Sequence, residues 1–263
     1  MLHGDVEHAG PPALELSGLT KRFGEFTAVD GLDLRVVHGE RFGLLGPNGA
    51  GKTTTIRLMM GILKATSGTA HILGHDCFRE RVELMRRVGY LPDEPTFHDY
   101  LRGSEIVQFV ADMHGLEQSW FTERGRPLIE RLELTSAMDE YAVNYSRGMK
   151  KKLAMVCALA HSPELLILDE PTSGLDPIAT RQLNALLVEE SDRGTTVVLS
   201  SHLLDQVQRF CHRMAIVAGG KLCAVGTLGE LRLRASSESS LEDIFFAVTA
   251  GASEDLGAKG TSA

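Results

Sequence analysis

The stretch that decides the fold is Gly46-Pro47-Asn48-Gly49-Ala50-Gly51-Lys52-Thr53-Thr54. It satisfies the phosphate-cradling pattern G-x-x-x-x-G-K-[ST] at every fixed position. Before it runs Arg41-Phe42-Gly43-Leu44-Leu45, a short apolar run of the kind that makes a buried strand. After it, Thr55-Ile56-Arg57-Leu58-Met59-Met60 continues as a first helix. In such a strand–loop–helix the glycines let backbone N–H groups turn inward around an anion, and the helix N-terminus adds partial positive charge. Lys52 would then reach the β- and γ-phosphates, and the Thr53 hydroxyl would hold Mg²⁺. A Gly-rich turn without a ligand is the weaker reading, because both flanks and all fixed positions match. The chain is thus expected to bind a nucleoside triphosphate.

A second element carries acid. Leu165-Leu166-Ile167-Leu168-Asp169-Glu170 is an apolar run ending in two carboxylates. The run reads as a strand buried on both faces, as in parallel sheets. Placed beside the phosphate loop, it would deliver Asp169 to the Mg²⁺ shell at the carboxyl edge of the sheet. Glu170, one residue on, could polarise the attacking water. An apolar run followed by an acid is common, so this signal gains its weight from the residues around it.

Those residues are Asn144-Tyr145-Ser146-Arg147-Gly148-Met149-Lys150-Lys151-Lys152-Leu153, then Pro171-Thr172-Ser173-Gly174-Leu175-Asp176-Pro177, then Ser200-Ser201-His202. With them the chain resembles the ATP-binding cassette (ABC) family, the nucleotide-binding subunits of ABC transporters. The order is the family's: phosphate loop, signature, acidic strand with its glutamate, D-loop, switch histidine. The resemblance runs from about Leu14 to Thr249. It implies an α/β fold: a P-loop NTPase core with a mostly parallel sheet, an antiparallel β-layer and an inserted α-helical subdomain over about 94–161. It implies ATP and Mg²⁺ as cofactors.

Carried over residue by residue, the resemblance gives further roles. Phe23 matches the aromatic that stacks on adenine, a surface that needs no base-edge readout; a core side chain at a strand end is the alternative. Ser146 and Gly148 match signature positions that reach the γ-phosphate held by a second subunit. A hydroxyl, a glycine and the N-terminus of a helix from Met149 to about Ala160 would form that anion trap. Arg147 adds a cation beside it. Glu170 resembles the general base and His202 the histidine that touches the γ-phosphate; a satisfied core histidine is the alternative for His202. Thr195-Thr196-Val197-Val198-Leu199 reads as a strand that puts His202 at the functional edge. Asp176 resembles the D-loop aspartate and also reads as an N-cap before Pro177. The Tyr-Ser-x-Gly-Met form looks like the export-type branch, which pairs with separate membrane subunits.

One departure concerns Asp93, in Gly89-Tyr90-Leu91-Pro92-Asp93-Glu94-Pro95, where family members usually carry glutamine. An aspartate could bind Mg²⁺ directly as a hard oxygen ligand, and it adds negative charge beside the phosphates. It is read as variation rather than loss of activity. Asp139-Glu140-Tyr141 stands where the family has an acidic loop, without a firm match.

Composition narrows the class. The 263 residues are 43% hydrophobic, enough for one α/β domain with an insertion. No run approaches the roughly 18–20 apolar residues of a membrane span, and Met1 to His8 lacks the basic start and apolar core of a secretory signal. The net charge of −8 argues against a nucleic-acid binder. Lys150-Lys151-Lys152 reads as a solvated helix face, with lipid headgroup contact a lesser reading. Cys77, Cys157, Cys211 and Cys223 form no C-x-x-C pair, and disulfides are not expected. His71, His75 and Cys77 lie close in sequence, but a strand ending in a turn denies them helical ligand geometry, so they read as surface residues.

Periodicity places helices at Ser104–His114, about Thr122–Leu134, and Pro177–Arg193 with Leu183, Leu186 and Leu187 on one face. A hairpin is expected across Ala218-Gly219-Gly220. The segment Ser240–Thr249 resembles the last helix of export-type cassettes. Residues 1–12 and 250–263 read as frayed ends around a cassette at 13–249.

The resulting expectation is an ATP-hydrolysing subunit of a membrane transporter, more in keeping with an exporter. It would lie on the cytoplasmic face of the membrane and work with a separate transmembrane permease and a second cassette, identical or not. The rivals are a soluble cassette that remodels ribosomes or DNA and a non-hydrolysing regulatory cassette. The first usually has two cassettes or a long coiled-coil insertion; the second is opposed by intact Lys52, Asp169, Glu170 and His202.

Overall fold

The computed structural model describes residues 12–235, 240–247 and 249. The expected frayed ends lie outside these residues, except Pro12, which opens the first strand and pairs with Val37.

Alternation of buried and exposed residues, interrupted at the register shifts, builds the antiparallel layer. In β1 (Pro12–Phe23), Leu14 and Leu16 are buried while Glu15 and Ser17 face out. In β2 (Phe26–Val37), Leu32, Leu34 and Val36 alternate with Asp33 and Arg35. This period of two is the mark of a sheet with one wet face. With β4 (Ser67–Ile72) and β5 (His75–Asp76) these strands form a four-stranded sheet in the order β2-β1-β4-β5.

The second sheet comprises β3 (Arg41–Leu45), β6 (Val88–Leu91), β7 (Leu165–Asp169), β8 (Thr196–Ser201), β9 (Arg213–Ala218) and β10 (Lys221–Gly226). Its order is β10-β9-β3-β8-β7-β6. All pairs are parallel except the β9–β10 hairpin, which turns at Gly219-Gly220 as expected. The sheet is buried on both faces. Leu165 and Ile167 of β7, Val198 of β8 and Ala215 and Val217 of β9 enter one core, shared with the antiparallel layer. Leu166, Leu168, Val197, Leu199, Met214 and Ile216 enter the other, shared with helices. Continuous apolar runs are what such a two-faced position demands.

Among the described residues lie α1 (Lys52–Met59), α2 (Arg81–Met85), α3 (Gly103–Met113), α4 (Arg126–Arg131), α5 (Arg147–Leu159), α6 (Pro177–Asp192), α7 (Leu204–Phe210) and α8 (Leu228–Ala235). Residues 241–247 are also helical. On α6, Leu183, Leu186 and Leu187 are buried together. The helix expected at Thr122–Leu134 is broken: a π-helical turn at Phe121–Gly125 precedes α4, and Glu133 has a φ of 56°. Pro127 removes one donor of the ladder at that junction. The chain there is tied down by side chains, since Trp120 Nε1 and Arg124 Nε donate to the carbonyls of Ala160 and Leu159 at the end of α5 (2.6 and 2.9 Å).

β7 does not lie next to β3; β8 runs between them, in register with both. Parallel pairing still brings all three carboxyl ends to one edge, because Leu45 pairs with Ser201 and Asp169 with Ser200. The interposed strand therefore puts Ser200 directly beside Asp169.

Candidate functional site

The loop after β3 is shaped by two glycines. A Cβ on Gly46 would overlap the Val217 carbonyl, and Gly51 holds a φ of 101°, which a side chain would strain. Gly51 is the N-cap of α1 and brings no side chain to cap it. The first-turn N–H groups of a helix have no intrahelical acceptor. Here they lie behind the loop Gly46-Pro47-Asn48-Gly49-Ala50-Gly51, whose Pro47, Asn48 and Gly49 are exposed. That donor set suits a phosphate. Lys52 is buried and its Nζ donates to the carbonyls of Gly46 (2.6 Å) and Pro47 (3.2 Å). Burial lowers its pKa, opposed first by Glu170, then by Asp169 and Asp93. Thr53 is exposed and Thr54 half-buried at the start of α1.

Across the edge, Asp169 is 1% exposed. Ser200 Oγ donates to its Oδ1 at 2.5 Å and accepts from the Glu170 N–H at 3.1 Å. Glu170 sits in the left-handed region with a φ of 46°. A non-glycine residue held there stores strain that persists only where the surroundings dictate it. Its Oε1 lies 3.8 Å from Lys52 Nζ, and its Oε2 accepts from His202 Nδ1 at 2.9 Å. Lys52, Asp169, Glu170 and His202 are thus gathered at one sheet edge from three strand ends. The Thr53 hydroxyl and the Asp169 carboxylate are hard oxygen donors of the kind Mg²⁺ takes.

Asp93 follows β6, whose last residue Leu91 pairs with Leu168. Its carboxylate is engaged by Lys151 Nζ at 3.3 Å and Arg147 Nη2 at 3.6 Å. Ser146 is the N-cap of α5, accepting from Met149 N–H at 3.2 Å, so that helix begins at Arg147 rather than Met149. Gly148 is half-buried next to it. Asp176 caps α6 through bonds from Ile178 and Ala179 N–H, both 2.8 Å, with Pro177 following as the sequence suggested. These bonds depress its carboxyl pKa, that from Ala179 most. Phe23 stands 48% exposed at the tip of the β1–β2 hairpin, with Lys21 Nζ 5.0 Å from its ring centre.

Two residues escaped sequence reasoning. Lys150-Lys151-Lys152 is not a uniformly solvated face: Lys151 is 1% exposed, and Lys152 pairs with Glu133 at 3.5 Å. Consecutive helix residues point about 100° apart, so three lysines cannot share one face. The available signal was the acid at Asp93, a charge needing a counter-charge. Ser200 stood inside a quoted motif with no role. Cys77, expected at the surface with His71 and His75, instead packs in the core, where burial pushes its pKa up to about 12.

A glycine-cradled helix terminus, a buried lysine and a strained glutamate beside a fixed aspartate define a P-loop nucleotide-hydrolysing cassette. Residues 29–173 match the family model described as ABC transporter. The chain is 38% identical over 220 residues to the daunorubicin/doxorubicin resistance ATP-binding protein DrrA of Streptomyces peucetius, covering 84% of this chain and 67% of that protein. It is 34% identical over 238 residues to the probable multidrug ABC transporter ATP-binding protein YbhF of Escherichia coli (strain K12), covering 90% of this chain but only 41% of that one. A solved ATP-binding subunit of an ABC transporter superposes with a TM-score of 0.86 at 30% identity, over 90% of this chain and 99% of that one. The chain belongs to the ABC transporter family as an ATP-hydrolysing cassette.

Proposed function

We propose that this cassette hydrolyses MgATP to energise a separate transmembrane permease, and that the pair works as an exporter. The observation that carries the reading is the contact set around Glu170, between Lys52 and His202 at the carboxyl edge of the sheet. In this reading Gly46 to Thr54 hold the phosphates and Phe23 the adenine. Thr53 and Asp169, with Asp93 as a further candidate, hold Mg²⁺, which neutralises phosphate charge. Glu170 takes the proton from the attacking water, and His202 orients Glu170 and meets the γ-phosphate. Ser146 and Gly148 serve the nucleotide of a second cassette, and Asp176 lies at that junction.

Export is supported by relatives whose names refer to drug resistance and multidrug transport. A permease partner is supported by the apolar surface that the helical segment within 94–161 leaves open. Phe109 and Met113 are exposed one turn apart on α3, and Tyr100 is 87% exposed just before it. Among the described residues no helix is long and apolar enough to cross a membrane. The cassette is assigned to the cytoplasmic face, where ATP is supplied.

The test uses composite sites. Chains carrying Lys52→Ala and chains carrying Ser146→Arg are co-expressed with distinct tags, and mixed dimers are isolated. Each homodimer has a defect in both sites and should be inactive. The mixed dimer has one site with both defects and one with none, so phosphate release should return. Verified mixed dimers that stay as inactive as the homodimers would reject independent sites built from two chains.

A further inference from the structure

Glu170 is pinned from two sides. Its N–H is held by β8, through Ser200 Oγ at 3.1 Å and the Ser200 carbonyl at 3.2 Å. Its carbonyl is held by α5, where Lys151 Nζ donates at 2.6 Å. Lys151 is buried in the second turn of α5, and Asp93 is its one ion-pair partner among the described residues. Arg147, one turn earlier on the same face of α5, reaches the same carboxylate. The left-handed φ of Glu170 is sustained by these bonds, since strained backbone relaxes when its constraints are removed.

We propose that Lys151 is a positioning residue for hydrolysis: with Asp93 as its counter-charge, it locks the peptide of Glu170 and so aims the Glu170 carboxylate. The proposal rests on Glu170 being the base. It gives Asp93 a different task from metal binding, because its carboxylate compensates a buried cation. Without Asp93, the Lys151 ammonium is left buried and unpaired. The side chain then withdraws toward solvent, and its bond to the Glu170 carbonyl weakens. The replacement of Asp93 by glutamine, harmless by analogy with the family, is therefore harmful in this chain as long as Lys151 remains.

The experiment compares the full chain with Asp93→Gln, Lys151→Gln and the double variant, and carries Glu170→Gln as a reference. Steady-state ATP hydrolysis gives kcat and KM, a magnesium titration gives the metal midpoint, and calorimetry gives Tm. Each single variant should lose tenfold or more in kcat, with KM and the magnesium midpoint within threefold of the parent. The double variant, in which two neutral amides can hydrogen-bond, should recover at least fivefold over the worse single variant. The proposal is overturned by a Lys151→Gln rate within twofold of the parent. It is equally overturned by a double-variant loss equal to the product of the two single losses, or by a raised magnesium midpoint in Asp93→Gln, which would make Asp93 a metal ligand. If Lys151→Gln does not fold, the decision passes to Asp93→Gln, whose side chain is 40% exposed and tolerates change. Its kcat must then fall at an unchanged magnesium midpoint, or the proposal is rejected. A full rate in Glu170→Gln would instead refute the assignment of the base, an outcome separable from the others.

Discussion

Replacing Glu170 by glutamine tests its proposed role as the base. The amide has the same reach and shape, and the side chain is only 12% exposed, so packing changes little. The φ of 46° is as unfavourable for glutamine as for glutamate, so the backbone gains no relief. What changes is proton uptake and charge. Loss of a positioned base slows hydrolysis by about 10²–10⁴, or roughly 3–5 kcal/mol of barrier. The charge change acts on binding with the opposite sign. A carboxylate 3.8 Å from Lys52 Nζ interacts with it by about 4 kcal/mol at an effective dielectric of 20. Asp169 and Asp93 continue to favour the Lys52 cation when that carboxylate is neutralised. Repulsion between Glu170 and the triphosphate is removed at the same time. ATP affinity is therefore expected to hold or rise, and the variant should collect as an ATP-bound dimer on a sizing column. The assays are phosphate release at saturating MgATP and fluorescent-nucleotide binding. Parental turnover in this variant, or loss of ATP binding alongside loss of turnover, would refute the reasoning. Glu170→Gly, which relieves the strained φ, should be equally inactive with a Tm within about 4 °C of the parent, since strain relief and the added freedom of glycine nearly cancel.

Two further outcomes test other parts of the structure. Ser200→Ala removes the hydroxyl bond to Asp169 while Glu170 N–H keeps the Ser200 carbonyl. A bond to a charged group contributes about 1.5–3 kcal/mol, so calorimetry should show Tm falling by roughly 4–8 °C, together with a loss of hydrolysis. His161 is stacked on His114 with ring centres 3.9 Å apart, and burial, reinforced by His114 and Arg124, pushes its pKa down to about 4. Between pH 6.5 and about 4 the unfolded chain binds a proton that folded His161 refuses, so stability falls as pH drops through that window and is unaffected above it. Allowing for partial solvent screening, the loss is about 2 kcal/mol. In a His161→Leu variant the Tm should decline less over the same pH range, and parallel declines would show that this group is not responsible.

The amino-acid sequence alone determined the parts whose chemistry is local. Gly46 to Thr54 carry their own turn and helix start, Asp176-Pro177 encodes a cap, and the apolar run before Asp169 must lie in a doubly covered sheet. The order of these parts along the chain was enough to identify the family. Tertiary structure decided what depends on partners distant in sequence. Lys151 is indistinguishable from Lys150 and Lys152 until α5 packs against β6 and one of the three lysines turns inward toward Asp93. Ser200 is an ordinary strand residue until β8 inserts between β3 and β7, an order that strand patterns cannot reveal because every buried parallel strand has the same apolar signature. The left-handed backbone of Glu170 is likewise invisible in sequence. It is imposed by bonds from residues 30 positions ahead and 19 behind, which meet only after the sheet and the helical segment have closed on one another.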